Sequence, residues 1–441
     1  MPASLTIQLV NNSTTPNISA FITGLAMQHS MRRVFVLPSG ELYFPENPPA
    51  GQILQPLTQN PAIPLGAPGN KVTVTIPQIA GGRIWFSAEK PLVFLRNPGG
   101  PGGGAALVEP SVLNPTDLNA ATDFCFMEFT LNNDQLFANI SYVDFVPRLP
   151  VALTLRTKGG QVQHVSGMAP DGLERAAQKL KEQAHKDGRP WDKLAVVKDG
   201  RTLRVLSPTH GNAVGASFDG YYEPLVEEVW NKYAEGQSIS ASAPVHHDEG
   251  EKKKQHRLSS LLSGLLKSKA ANGNAQEPDQ HHHPQHHHQQ CMLSINTQAA
   301  PGVVSGCVEA KSGHLVIGGE AFKKPTTADI LGCNSGPFTT GPSPKRNAII
   351  PRLAAAFQRS CITSVMEHPS LPETFYRCDP TNHYCRVVHE CNLDGKGYAF
   401  AYDDVQPDGG DDQSGKVNAG DPEVFIVAVG GQGAYVGDRM P

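Results

Sequence analysis

The sequence predicts a mainly β protein with added helices, an α+β fold built on a sandwich or barrel. Short runs rich in β-branched and aromatic residues follow one another through the first hundred residues, and each ends at Asn, Gly or Pro. The chain also holds 43 Gly and 37 Pro, which is typical of a fold with many turns. Its 441 residues can fill one large core or two moderate ones, so the length favours two or three lobes.

Periodicity places the individual elements. Strands are predicted over 5–10, 18–27, 33–38, 71–77, 82–87 and 91–96, and again after residue 291 and over 397–405 and 423–431. Apolar residues recur at helical spacing over 173–184, which stops before Gly188, over 225–233, which follows Pro224, and over 349–357. A chain that opens and closes with strands predicts a β lobe into which a mixed lobe is inserted.

The predicted division is a β-barrel or sandwich lobe formed by 1–156 and 395–441, and a mixed α/β lobe formed by 157–394. Within the second lobe, 236–290 is rich in His, Gln, Lys and Ser and contains no Phe, Trp or Tyr. Such a composition cannot bury enough apolar surface to offset chain entropy, so a disordered insertion is predicted there.

Charge and cysteine content narrow the class of protein. A net charge of −4 without a basic segment excludes the electrostatic footprint of a nucleic-acid binder. No apolar run reaches the ~18 residues that span a bilayer. Seven of the eight Cys lie in the last third of the chain, which predicts a disulfide-stapled region and an extracellular or cell-wall location, although no signal peptide is visible. The alternative is a set of reduced, buried thiols.

The densest set of polar and aromatic side chains lies over 123–150. Alternation puts five residues on one face of a first strand, namely Phe124, Phe126, Glu128, Thr130 and Asn132. A turn follows near Asn133 and Asp134, and a second strand then carries Tyr142 and Asp144 on one face. Aromatic rings stack on sugars while amides and hydroxyls bind their hydroxyl groups, so this face predicts a sugar groove.

Two carboxyl groups are what glycosidic cleavage requires. Glu128, flanked by Met127 and Phe129, is the better candidate for the protonated acid because apolar surroundings favour the neutral form, and Asp144 is then the base. Their separation stays open at this point. A hairpin centred on Leu136 would set them about 5 Å apart, whereas a tight turn at residues 133 and 134 would leave them some ~16 Å apart.

Two other clusters allow a metal site as an alternative. The acidic set over 403–412 lacks the ligand spacing of an EF-hand calcium loop. His383, Cys385, His389 and Cys391 lack a CxxC pair, so a disulfide is favoured over zinc there. We therefore predict no metal and no cofactor.

One run of this sequence consists of Glu128, Phe129, Thr130 and Asn132, followed by Asn139, Val143 and Asp144. This run resembles the catalytic region of glycoside hydrolase family 64, endo-β-1,3-glucanases of the laminaripentaose-producing type. Further blocks at 83–87, 108–119, 218–225, 333–338, 354–360 and 397–404 extend the resemblance over nearly the whole chain, with 236–290 as an extra insertion.

The resemblance implies a thaumatin-like β-barrel lobe and a mixed α/β lobe around a wide groove, and an enzyme that inverts the anomeric carbon. It implies that Glu128 is the general acid, that Asp144 is the general base, and that Thr130 and Asn132 bind sugar near the scissile bond. Phe137 and Ser141 stand where the family pattern has Trp and Thr. Together with Tyr142 they complete the predicted sugar contacts on this hairpin.

Asp403 and Asp404 are expected to line the groove, as acidic residues do in thaumatin-like proteins. The predicted function is endo-hydrolysis of β-1,3-glucan, such as laminarin or cell-wall glucan, to short laminari-oligosaccharides that include the pentaose. The enzyme is expected to act as a monomer with neither nucleic acid nor membrane as partner. The rival prediction is a non-catalytic thaumatin-like protein that binds β-glucan or acts against fungi.

Overall fold

Strands dominate the computed structural model, which describes residues 4–100, 104–236, 292–298 and 302–431. The first strands are β1 (Ser4–Asn11), β2 (Ile18–Ala26), β3 (Arg32–Val36), β4 (Leu42–Tyr43), β5 (Gln55–Pro56), β6 (Ile63–Pro64), β7 (Lys71–Pro77), β8 (Ile79–Ala88), β9 (Leu95–Asn97), β10 (Ala106–Val108), β11 (Phe124–Leu131), β12 (Leu136–Asn139), β13 (Phe145–Pro147), β14 (Val151–Thr157) and β15 (Val162–Val165). The later strands are β16 (Ala195–Lys198), β17 (Arg201–Leu206), β18 (Leu293–Asn296), β19 (Val303–Val308), β20 (Leu315–Ile317), β21 (Glu320–Phe322), β22 (Glu367–His368), β23 (Lys416–Ala419) and β24 (Pro422–Val429). The helices are α1 (Gly172–Asp187), α2 (Glu223–Lys232), α3 (Thr327–Gly332), α4 (Pro344–Gln358) and α5 (His383–Cys391).

Two large sheets enclose the main core. One has the order β15-β14-β24-β1-β7, and the other has the order β23-β12-β11-β8-β2-β3-β4 with β6 beside β2. Alternate residues of the two sheets face each other, for example Ile7 and Leu9 on β1 and Met127 and Leu131 on β11, and all four are buried. Burial of this apolar surface, at about 25 cal/mol per Å², stabilises the packing of the two sheets.

The opposite face of the larger sheet carries aromatic side chains. Phe21, Trp85, Phe124 and Phe126 pack there with Phe145 of β13, and their ring centroids lie 4.9–6.3 Å apart in the contacts of Trp85 with Phe126 and Phe124. Pairs with tilted or edge-to-face geometry add to the area term. This second cluster lies on the same sheet face as Glu128 and Thr130 and covers the part of that face next to them.

The helices and three small sheets build the remainder of the described chain. The small sheets have the orders β10-β9-β5, β13-β17-β16 and β21-β20-β19-β18-β22. Helix α1 packs its buried face, which includes Leu173 and Leu180, into the main core, and it ends at Gly188, whose φ of 70° suits a residue without Cβ. Among the described helices, none is long and apolar enough to cross a membrane.

Most predicted elements are confirmed, including the five strands up to residue 87 and the helices α1, α2 and α4. Three strand predictions are wrong. The strand predicted to carry Tyr142 and Asp144 ends at Asn139, so both residues lie outside β12. Over 91–96 only β9 forms, because Leu92 and Phe94 instead fill the aromatic cluster. Over 397–405 the chain makes turns, because its hydrogen bonds are local. The Asp403 carboxylate accepts the N–H of Ala399, and the carbonyls of Phe400 and Tyr402 accept the N–H groups of Asp403 and Val405.

The disulfide prediction is wrong for the described cysteines Cys125, Cys333, Cys361, Cys378, Cys385 and Cys391, which are free thiols. Five of the six are buried, and burial raises the pKa of Cys125 and Cys385, so these thiols behave as small apolar groups. Cys291 and the predicted insertion, apart from residue 236, lie outside the described residues.

Candidate active site

The hairpin of β11 and β12 presents Glu128. The Asn132 carboxamide oxygen accepts the N–H groups of Asp134 and Gln135 at 2.8 and 2.9 Å, which closes a tight turn. Glu128 is therefore paired with Asn139, and the turn at residues 133 and 134 is the correct alternative. The hairpin centred on Leu136 is wrong. Asn132 uses its side-chain oxygen to hold this turn.

Glu128 opens onto a cavity of about 420 Å³. Its side chain is 36% exposed, and Oε1 accepts hydrogen bonds from Nε and Nη2 of Arg83 at 3.2 Å each. Phe137 and Thr130 also line this cavity, and the Thr130 hydroxyl accepts the N–H of Gly81 at 3.4 Å. The cavity thus combines two partly exposed carboxylates, Glu128 and Glu109, with polar and aromatic walls, which is a suitable composition for a sugar subsite.

The apolar neighbours that the sequence placed beside Glu128 do not surround its carboxylate. Met127 and Phe129 are 0% and 2% exposed and belong to the main core on the other side of the sheet. Strand alternation causes this separation, because consecutive residues point to opposite faces. The group that does contact the Glu128 carboxylate is the Arg83 guanidinium, contributed by the neighbouring strand β8.

Asp144 lies beyond the end of β12, just before β13. Its side chain is 41% exposed, and Oδ1 lies 2.9 Å from Nε2 of His210, which donates to it. The backbone carbonyl of Asp144 also accepts the N–H of Ser207 at 2.9 Å. Two contacts from the 3₁₀ segment Pro208–Val214 and the residue before it therefore fix both ends of Asp144. Oδ2 is left for another partner.

A second cavity, of about 220 Å³, surrounds Asp144 and is lined in part by Phe400 and Ala401. The same segment reaches the neighbourhood of Glu128. Tyr398 pairs with Ser141, and burial and the Asp404 charge raise the pKa of Tyr398, with a smaller contribution from Glu128. The residues after Gly397 thus connect the surroundings of the two carboxylates.

Three predicted sugar contacts, Tyr142, Asp403 and Ser141, lie beneath the surface. Tyr142 is 1% exposed and its hydroxyl donates to Oδ1 of Asn392 at 3.0 Å, so it packs in the core and does not share an exposed face with Asp144. Asp403 is 1% exposed and forms an ion pair with Arg359 at 3.1 Å. Asp404, the next residue, accepts from the Tyr398 hydroxyl at 3.3 Å and is half-buried. Ser141 is 9% exposed.

The two histidines of the cluster considered for zinc, His383 and His389, contact different carboxylates. His383 contacts Asp379 at 2.8 Å, while His389, on the same helix, contacts Asp403 at 3.0 Å. Within the described ranges, no three His, Cys, Asp or Glu side chains converge on a point that could hold a metal ion.

Three residues at these cavities were missed by sequence reasoning. Glu109 follows β10 and contacts Arg83 at 2.9 Å, Arg83 itself reaches Glu128 from β8, and His210 reaches Asp144 from a 3₁₀ helix. These three contacts span 26, 45 and 66 positions of the chain. No spacing rule connects such distances, so only the tertiary fold reveals these contacts.

Comparison with known proteins shows the family of this chain. A family model described as β-1,3-glucanase, glycoside hydrolase family 64, matches residues 3–251 and 285–429. Two proteins named glucan endo-1,3-β-glucosidase, from Cellulosimicrobium cellulans and Arthrobacter sp. (strain YCWD3), are each 26% identical over 347 residues, which is 76% of this chain. The chain spans about half the length of these curated relatives.

Solved structures match over more of the chain. The crystal structure of a laminaripentaose-producing β-1,3-glucanase in complex with laminaritetraose has a TM-score of 0.72 and 26% identity, and covers 97% of this chain and 99% of its own. A β-1,3-glucanase domain from Clostridium beijerinckii has a TM-score of 0.65 at 20% identity, with 97% and 98% covered, and shows likeness of fold. The chain belongs to the β-1,3-glucanases of glycoside hydrolase family 64.

Proposed function

We propose that this protein is an endo-acting hydrolase of β-1,3-glucan that inverts the anomeric carbon, with Glu128 as the acid and Asp144 as the base. The observation that carries the proposal is the placement of the two carboxylates. Each is partly exposed in its own cavity, and Glu128 faces Asn139 across the hairpin in place of Asp144. This pairing excludes a direct Glu128–Asp144 pair about 5 Å apart, the separation of retaining enzymes. The inverting outcome is proposed from the resemblance to the family.

The proposed reaction is one displacement. Asp144 takes a proton from a water, and the water oxygen forms a bond to the anomeric carbon from the face opposite to the leaving group. The bond between that carbon and the glycosidic oxygen breaks, and Glu128 gives its proton to the departing oxygen. Asp144 then releases its proton to solvent, and Glu128 takes up a proton from solvent. Two carboxyl groups and one water are sufficient for this balance.

The substrate-binding assignment is narrower than the one drawn from sequence. Thr130 and Phe137 line the Glu128 cavity, so we propose that they contact sugar directly. Asp404, which accepts from the Tyr398 hydroxyl, is proposed to act at the rim. Ser141 is buried and is proposed to contribute by pairing with Tyr398. Asn132 is proposed to contribute chiefly by holding the turn that positions Glu128.

We propose a thaumatin-like β lobe formed by 1–156 and 395–441 and a mixed lobe formed by 157–394. Support comes from the two large sheets, whose strands lie between residues 4 and 157 or between 416 and 429, except for the edge strand β15 (Val162–Val165), which falls just beyond the proposed boundary at 156. We also propose that the protein acts as a monomer. A polymeric glucan substrate such as laminarin or cell-wall glucan supports an extracellular or cell-wall location.

Product analysis tests this proposal. The protein should release short laminari-oligosaccharides from linear β-1,3-glucan, and proton NMR in the first minutes should show the α-anomer at the new reducing ends. Oligosaccharide size follows from chromatography of the same samples. New ends that appear first as the β-anomer would refute inversion. Glucan binding without release of sugar would refute the enzyme and support a binding protein.

His210 should matter through its hydrogen bond to Asp144. We expect His210→Phe, which keeps the ring volume and removes the donor, to lower kcat about tenfold with KM little changed, because a hydrogen bond to a charged group is worth roughly 1.5–3 kcal/mol. His210→Gln keeps a side-chain donor and should retain more activity. Steady-state kinetics on linear β-1,3-glucan measure both variants. Equal kcat values for the two would show that the donor is unimportant.

A further inference from the structure

We propose that Glu109 is a positioning residue which, through Arg83, keeps Glu128 able to carry the proton that it donates. The inference rests on the proposed function of Glu128 as the acid. Glu109 contacts Arg83, and Arg83 contacts Glu128, so its effect on Glu128 passes through the guanidinium and through the field of its own charge.

One guanidinium is shared between two carboxylates. Arg83 donates from Nη1 to Oε2 of Glu109 at 2.9 Å, and from Nε and Nη2 to Oε1 of Glu128 at 3.2 Å each. The shorter contact is with Glu109. The guanidinium carbon also lies 4.7 Å from the ring centroid of Phe126 and 5.4 Å from that of Trp85, so the planar group is held against two aromatic faces.

Arg83 alone would work against an acid at position 128. A cation within hydrogen-bonding distance favours the ionised carboxylate, which has no proton to give. Glu109 offsets this in two ways, because it neutralises the charge of Arg83 and adds a negative charge near Glu128. The exposed fractions of the three side chains are 24% for Glu109, 31% for Arg83 and 36% for Glu128, so these charges are only partly screened by water.

Arg33 on β3 is a second cation near this pair, since it lies 3.9 Å from Glu109 and lines the same cavity as Glu128. Its contact with Glu109 is longer than the 2.9 Å contact of Arg83, so Glu109 is held mainly by Arg83. Burial and the Asp404 charge raise the pKa of Tyr398, with a smaller contribution from Glu128, so the Tyr398 hydroxyl is neutral at ordinary pH. Across the hairpin stands the uncharged Asn139, and Lys416 on the next strand is paired with Asp412 at 3.1 Å.

The test is the pH profile of kcat/KM on linear β-1,3-glucan, whose alkaline limb reports loss of the proton from the acid of the free enzyme. We expect Glu109→Gln, which keeps the shape and the acceptor oxygen, to move this limb about one unit toward lower pH. Glu109→Asp keeps the charge and should restore most of the shift. Arg83→Met should move the limb in the opposite direction, because it removes the cation.

Glu423→Gln is the matched control, since Glu423 also pairs with an arginine, Arg156 at 2.9 Å, but on strands β14 and β24 of the other sheet. Its limb should coincide with that of the native protein. A uniform loss of activity in Glu109→Gln, with the limb unmoved, would show a merely structural role and overturn the inference. Native-like activity of Glu128→Gln would instead remove the proposed acid, and with it the function on which this inference rests.

Discussion

Glu128→Gln and Asp144→Asn should each lower kcat on linear β-1,3-glucan by about 10³-fold, because each amide cannot take part in proton transfer. Both replacements keep the size and planarity of the side chain. The amide at 128 can still accept from Arg83, and the one at 144 can still accept from His210, so the fold should be retained. Steady-state kinetics and oligosaccharide binding by calorimetry measure the two effects separately.

A substrate with a good leaving group separates the two roles. A laminari-oligosaccharide carrying an activated phenol at its reducing end needs little protonation of the departing oxygen. Glu128→Gln should therefore recover most of its activity on the aryl substrate, whereas Asp144→Asn should remain impaired because the water still needs a base. Glu423→Gln, on the surface, should match the native protein on both substrates. Recovery in both variants, or in neither, would contradict the assignment of acid and base.

Asp403→Asn should destabilise the fold by roughly 3–5 kcal/mol, since it removes one partner of a buried ion pair. Asp403 is 1% exposed and accepts from Arg359 at 3.1 Å and from His389 at 3.0 Å. When Asp403 has no charge, the buried guanidinium of Arg359 loses its counterion but still bears the cost of its own desolvation. Urea unfolding followed by fluorescence gives the change in free energy of unfolding.

The pH dependence of this effect follows from the shifted groups. Burial opposes ionisation of Asp403, but His389 and Arg359 outweigh it and hold its pKa below the usual value, so this stability is lost as pH falls through the folded pKa. Burial likewise opposes the charge of His389, but Asp403 outweighs it and raises the pKa of His389, so that contribution is lost as pH rises through the folded pKa.

The gap in unfolding free energy between the native protein and Asp403→Asn should therefore be widest between about pH 4 and 6.5, the usual values of the two groups. It should narrow on either side of that window. The matched change Glu423→Gln breaks an exposed pair and should cost less than about 1 kcal/mol at any pH. A change of similar size in both variants would contradict the special role of the buried network.

The Asp403 network also explains why a predicted strand failed. The sequence of 397–405 has the alternation of a strand, yet the carboxylate of Asp403 accepts the N–H of Ala399 and curls the segment into turns. A side-chain acceptor that captures a backbone donor removes it from any sheet ladder. The Asp403 carboxylate is held in place by Arg359, which follows α4, and by His389 of α5. Both partners lie outside 397–405, so the segment alone could not reveal this hydrogen bond.

Local sequence determined the strands and helices whose periodicity is strong, and the parity of β11. Phe124 and Phe126 do share a face with Glu128 and Thr130, because alternation is a property of the strand itself. The predicted turn residues Asn133 and Asp134 likewise marked the place where the hairpin closes. The acid and base followed from family resemblance and remain proposed roles.

Only the tertiary structure decided what surrounds those carboxylates. Tyr142 points into the core, and Arg83 contacts the Glu128 carboxylate in place of the expected apolar neighbours. His210 contacts Asp144. Register between strands and contacts between distant segments are set by the packing of whole sheets, which no short window of sequence contains. Residue types and their alternation are therefore readable from the chain, whereas the electrostatic environment of each carboxylate exists only once the sheets have assembled.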